Sequence, residues 1–205
     1  AQQWEKKHNV SSLSTGSLCR RHIEQQTEHG REFKKLLSTG QLIPDALMSA
    51  MVQEWLVQHR DHEGAILLDG YPRTAKQVEL WVEMMQQHMP HFGRSVVLFE
   101  ISQTALISRL SGRVTCSNVG CQRVYAGSFK SEVCESCGSP LIKRFDDKPE
   151  VIANRLEGYD RHKGELLAAC QQLGVPVKLF DVERVLLDDM LEQFLTILHD
   201  ASSAL

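Results

Sequence analysis

Ala65-Ile-Leu-Leu-Asp69-Gly70-Tyr71-Pro72-Arg73-Thr74 is the stretch on which the reading of this chain turns. Four apolar residues end abruptly in Asp69, and Gly70 and Pro72 follow as breakers. That is the pattern of a buried parallel strand opening into a loop at its carboxyl end. Open α/β sheets bind their ligands at that end of the strand. A carboxylate there can hold Mg2+ through water, and an arginine four residues on can clamp a phosphate with two parallel hydrogen bonds. Asp69 and Arg73 are therefore the first candidate site residues.

Downstream, Thr74 to Gln87 reads as a helix carrying Gln77 in its first turn, and Ser95 to Ile101 as a second buried strand. Thr104 to Leu110 is a helix that delivers Arg109 and then Arg113. Val175 to Phe180 is a third strand, and Glu183 to His199 a closing helix. Strand alternating with helix predicts an α/β protein with a doubly wound parallel sheet.

Upstream, residues 1–8 read as the tail of a helix anchored by Trp4, and Ser11-Ser12-Leu13 as a short extended link. Ser14-Thr15-Gly16 opens a helix running to Leu37, closed by Gly40 as a left-handed cap. Hydroxyls and a glycine at a helix start either cap it or receive an anion, and Arg20 one turn in favours the anion. Pro44-Asp45 starts a further helix whose Leu47, Met48, Met51, Val52, Trp55 and Leu56 repeat at i, i+4 and i+8 as one buried stripe. Its methionines read as core filler.

Between Arg113 and Arg144 these periodicities stop and Cys116, Cys121, Cys134 and Cys137 appear, spaced C-x4-C and C-x2-C. Two short knuckles of this kind present four thiolates tetrahedrally to Zn2+, and four cysteines leave no open coordination position, so the predicted role is structural. Cys19 and Cys170 lie apart in predicted helices.

With 205 residues, 42% of them hydrophobic and 24% charged, the chain has the composition of one substantial globular domain with a small insert. A formal charge of −3 gives no general basic field and argues against a nucleic-acid partner. No apolar run approaches the ~20 residues needed to span a bilayer.

Taken together the motifs resemble the long-lid, zinc-containing bacterial adenylate kinases. The resemblance rests on Ser14-Thr15-Gly16 with Arg20, Gly40-Gln41-Leu42-Ile43-Pro44-Asp45, Asp69-Gly70-Tyr71-Pro72-Arg73 with Gln77, Arg109 with Gly112-Arg113, Val124-Tyr125, Arg144 with Asp146-Asp147, and Arg155 before Tyr159. It implies a phosphate-loop nucleoside monophosphate kinase fold, with a core of residues 1–112 and 148–205, AMP-binding helices at about 14–43, and a zinc lid at 113–147. It further implies that Thr15, Arg20, Gln41, Leu42, Ile43, Gly70, Tyr71, Pro72, Arg73 and Gln77 bind AMP, with Arg144 and Arg155 reaching the transferring phosphates. Arg109, Arg113, Val124, Tyr125 and Glu183 are assigned to ATP. Asp69, Arg73, Arg109, Arg113, Arg144 and Arg155 form the implied catalytic set, with Mg2+ accompanying ATP. Asp146 and Asp147 are expected to position arginines and, with Gly112, to flank the lid hinges. A monomeric, cytoplasmic enzyme is the corresponding expectation.

Three departures stand out. Ser17 occupies a position where the family usually carries Asp, and the first knuckle is C-x4-C where C-x2-C is usual. The family also opens with a strand and a glycine-rich phosphate loop, yet no Gly-x4-Gly-Lys-Ser/Thr pattern occurs here. Ala1 falls just after the expected end of that loop, so the sequence reads as an N-terminally incomplete copy. Two alternatives remain open at this level: a kinase for another nucleotide pair, using GTP as donor or UMP or CMP as acceptor, and a non-catalytic nucleotide-binding zinc protein.

Overall fold

The computed structural model describes residues 9–183. The helix tail expected at 1–8 lies outside the described residues, as does the closing helix beyond Glu183. Within them the chain divides into two compact units, one of residues 9–15, 44–102 and 160–183, the other of residues 16–43 and 103–159.

In the first unit β1 (Val10–Ser14) runs parallel to β2 (Ala65–Asp69), with Val10 opposite Ala65 and Ser14 opposite Asp69. The same unit contains a second parallel pair, Val96–Glu100 with Val177–Asp181, called β3 and β7. Among the described residues no strand is hydrogen-bonded to both pairs. The parallel α/β class is as expected from the strand and helix order.

Two details of the strands depart from the sequence reading. Ser11 to Leu13 is part of a strand rather than a link, because pairing with β2 supplies the order that a serine-rich segment lacks by propensity. β2 itself is half-buried along its centre and exposed at both ends, not fully buried.

Helices α3 (Asp45–Gln58) and α4 (Ala75–His88) pack against one another. Of the expected stripe on α3, Met48, Val52 and Leu56 are buried whereas Leu47, Met51 and Trp55 are only half-buried, and α4 contributes Val78, Trp81, Val82 and Met85. Each fully buried side chain of this kind stabilises by about 1.5–3 kcal/mol, so the seam outweighs local helix propensity. Thr74 caps α4 by accepting a hydrogen bond from the Gln77 backbone N–H at 3.1 Å. This fixes the loop that carries Arg73.

The helix expected to run from Ser14 to Leu37 is two helices, α1 (Thr15–Glu24) and α2 (Glu28–Ser38). Gln26 takes a left-handed φ of 52°, and the Thr27 hydroxyl caps α2 by accepting from the Gly30 N–H at 3.0 Å. A threonine cap competes well with a continuing turn, and a polar stretch gives hydrophobic periodicity nothing with which to mark the break. Gly40 ends α2 at φ 78°, with Gly40 and Gln41 donating back to Leu37 and Leu36.

In the second unit α5 (Gln103–Gly112) leads into a three-stranded antiparallel sheet. It is made of β4 (Val114–Cys116), β5 (Val124–Tyr125) and β6 (Leu141–Ile142), with β4 central. Pro149 then begins α6 (Pro149–Gln172), a position where its missing N–H costs nothing. Removing the Thr27 cap by Thr27→Ala should lower unfolding free energy by about 1 kcal/mol, read as a shift in urea midpoint at unchanged slope.

Candidate functional site

Thr15, 2% exposed, stands where β1 passes into α1, and its hydroxyl reaches the carbonyls of Asp69 at 3.2 Å and Gly70 at 3.1 Å. Thr15 is thereby tied to the end of β2. Gly70 has φ 77°, and a Cβ there would collide with the Arg73 guanidinium and meet Thr15 Oγ1 at 3.0 Å. Only glycine suits both the backbone and the space. The Arg73 Nε–H donates to the Gly70 carbonyl at 2.6 Å, so the arginine folds back over the turn that created it.

Below this loop lies a buried polar chain. Gln77, also 2% exposed, accepts from the Arg73 N–H at 2.8 Å and donates to Asp45 Oδ1 at 2.8 Å. Arg73 and Asp45 fix the orientation of the amide, because a backbone N–H can only donate and a carboxylate only accept. The Tyr71 hydroxyl lies 2.8 Å from Ser49 Oγ and donates to the Gln77 carbonyl. Burial pushes its pKa up to about 12. The Tyr71–Pro72 peptide is cis. Asp69 is exposed at the strand's carboxyl end.

The second unit gathers arginines around two adjacent carboxylates. Arg113 grips Asp147 with two hydrogen bonds of 2.6 Å, and Arg144 grips Asp146 in the same two-pronged way. Arg155 Nη1 lies 3.7 Å from Asp146 and 3.9 Å from Asp147. Arg20 feels the same cluster. Burial, then the Arg144 and Arg113 cations, bring its pKa down to about 10. Four guanidiniums against two carboxylates leave an excess of positive charge suited to an anion.

Arg109 is exposed on α5, and Gln41, Leu42 and Ile43 follow the Gly40 cap, with Ile43 buried. Glu183 accepts from the Ser102 N–H at 2.8 Å and from its hydroxyl at 3.0 Å, immediately before α5 begins. Its carboxylate thus serves a helix start.

The four insert cysteines form a cluster whose ligand atoms lie within 4.8 Å of one another. Cys116 and Cys137 sulfurs are 3.4 Å apart, and Cys121 and Cys134 3.7 Å, well beyond a disulfide bond. A tetrahedral ion with sulfur at about 2.3 Å sets its ligands about 3.8 Å apart, so the residues fit a metal. Val124 is exposed, whereas the Tyr125 side chain is buried with its hydroxyl 3.2 Å from Cys134 Sγ. That hydroxyl also accepts from the Glu135 N–H at 3.0 Å, and its hydrogen bond to the sulfur is the main cause that holds the Cys134 pKa down to about 6.

Sequence reading located Arg73, Gln77 and the arginines, but not Asp45 or Ser49, whose partners lie 32 and 22 residues away. It also missed Gln122, whose signal was the lengthened first knuckle that ends beside it.

Arginines fixed on carboxylates and strand-end loops, in a parallel α/β framework, define a protein that handles phosphate anions. A sequence model of the adenylate kinase family matches residues 1–175. An adenylate kinase of Syntrophomonas wolfei is 36% identical over 181 residues, covering 85% of this chain and 80% of the relative. One from Lactobacillus acidophilus is 34% identical over 193 residues, covering 88% of each, and one from Caldicellulosiruptor bescii 29% over 187. The chain belongs to the adenylate kinase family.

Asp146 offers a test of the arginine cluster. Burial opposes its ionisation, but the bond from Arg144 and the nearby Arg155 and Arg20 charges leave its pKa below the ordinary value. A carboxyl depressed in the folded state adds stability above its unfolded pKa of about 3.9, lost as pH falls through the folded value. Acid unfolding of the parent should therefore steepen below about pH 4. Asp146→Asn should flatten that limb while lowering stability at pH 7.

Proposed function

We infer that this chain transfers a phosphoryl group reversibly from Mg-ATP to AMP, giving two ADP. The observation that carries the reading is the pair of adjacent forks in which Asp146 and Asp147 hold Arg144 and Arg113, within a chain of this family. Phosphoryl transfer demands in-line positioning and neutralisation of charge over several oxygens, and little covalent chemistry. Guanidiniums fixed before substrate arrives meet that demand without reorganising during the step.

AMP is assigned to Thr15, Arg20, the backbone at Gln41, Leu42 and Ile43, and Gly70, Tyr71, Pro72, Arg73 and Gln77. Arg144 and Arg155 reach the transferring phosphates. ATP is assigned to Arg109, Arg113, the Val124–Tyr125 strand and the backbone near Glu183. Asp69 orders water on the Mg2+ that accompanies ATP. No residue is assigned as general base. Gln77 keeps one carbonyl lone pair and one N–H beyond its bonds to Arg73 and Asp45, enough for an adenine edge. Residues 113–147 act as a lid that closes over the donor to exclude water, and Zn2+ on the four cysteines gives that lid its fold. No described helix is long and apolar enough to cross a membrane. The family resemblance assigns the chain to the cytoplasm as a monomer.

The deciding experiment measures ADP formed from ATP and AMP by the full chain, beside a panel with GTP as donor and UMP or CMP as acceptor. ATP with AMP should be the preferred pair, and Arg144→Ala should lower the rate about 100-fold or more. Preference for another pair would overturn the nucleotide assignment, and an unaffected Arg144→Ala rate the role of that arginine.

Metal analysis should find one zinc per chain. Cys134→Ser should lose it and lower the melting temperature by several degrees. Unchanged metal content and melting would reject the structural zinc.

A further inference from the structure

The lengthened knuckle brings one unassigned side chain onto Arg20. Asn118 Oδ1 accepts from the Gly120 N–H at 2.8 Å, and the backbone N–H groups of Cys121 and Gln122 both return to the Asn118 carbonyl, at 3.0 and 2.8 Å. The turn leaves Gln122 at φ 46°. From there its Nε2 donates to the Val119 carbonyl at 3.1 Å and to the Ser17 carbonyl at 3.2 Å. Its Oε1 accepts from Arg20 Nε at 2.9 Å.

Chemistry fixes which way this amide points. Both carbonyls can only accept and a guanidinium can only donate, so the reversed amide would lose all three bonds. Arg20 is held a second time, through Nη2 on Ser17 Oγ at 3.0 Å. Two of its five N–H groups are thus engaged on neutral oxygens, which leaves three for a ligand. Neither partner cancels the charge. A carboxylate in place of either would add an ion pair with Arg20 and weaken its pull on an anion.

We propose that Gln122 is a positioning residue for the acceptor phosphate: as a neutral acceptor on the cysteine knuckle, it fixes Arg20 through Nε and leaves the rest of the guanidinium, with its full charge, for AMP. This rests on the assignment of Arg20 to the AMP phosphate. The lid insert is then part of the acceptor site as well as a cover for the donor. The burial and neighbouring cations that lower the Arg20 pKa add to the advantage of bringing a dianion to it.

The test is calorimetric titration of AMP and of adenosine, which lacks only the phosphate, into the parent chain, Gln122→Met and Gln122→Glu, with metal content and melting checked for each. The parent should prefer AMP. Gln122→Met should weaken AMP about tenfold and leave adenosine unchanged. Gln122→Glu, which keeps an acceptor for Nε but adds a charge, should weaken AMP at least as much. In an Arg20→Gln background, Gln122→Met should have no further effect on AMP. A parent that prefers AMP with a Gln122→Met variant that does so equally would overturn this inference and leave the site assignment standing. Equal loss of AMP and adenosine would also overturn it, by making Gln122 a general support of the fold. A parent that does not distinguish the two ligands would remove Arg20 from the phosphate site, and the inference with it.

Discussion

Several guanidiniums cannot be held close together without carboxylates among them, and in this chain Asp146 and Asp147 meet that constraint. At an effective dielectric near 20, two like charges 4 Å apart repel by about 4 kcal/mol, a large fraction of what holds a domain together. Two neighbouring aspartates, each gripping one arginine with two bonds, turn that repulsion into a fixed geometry. The remaining excess of positive charge is what a phosphate would meet.

A second kind of order holds the loop after β2. Thr15, Gly70, Arg73, Thr74, Gln77, Asp45, Ser49 and Tyr71 are joined through neutral and singly charged hydrogen bonds, all but the Arg73–Gly70 bond at least partly buried. Buried polar groups are costly when unpaired, so such a chain has few alternative arrangements. Orientation comes from hydrogen bonding in this unit and, around Asp146 and Asp147, from charge pairing in the other.

What could be read from residues alone follows from how locally each signal is written. Periodicity exposed α3, because its apolar stripe recurs at short intervals in sequence, and breakers exposed the loop at Asp69–Thr74. The cysteine spacing exposed the four-cysteine cluster, since ligand geometry is encoded in short intervals. β1 escaped because serine carries little strand signal and the order comes from pairing with a segment 55 residues on. The break at Gln26 escaped because its determinants are one dihedral angle and one hydroxyl. Asp45, Ser49 and Gln122 escaped because their partners are distant in sequence and nothing in a single residue type announces a long-range hydrogen bond. The inward turn of Tyr125 belongs to the same class: sequence places a residue on a strand, whereas packing decides which neighbour its hydroxyl meets.

Gly70 is where these constraints converge. Its left-handed backbone, the arginine folded across it and the Thr15 hydroxyl beside it restrict the position through three independent causes. A swing of the Arg73 side chain would relieve the closest approach, but the left-handed backbone would still disfavour a larger residue. In a library randomised at every position, this one should be dominated by glycine, while Asp69 immediately before it, exposed at the strand's end, is under no such backbone restriction and would be sorted by its charge. Two adjacent codons would then record two different kinds of selection, one on shape and one on electrostatics.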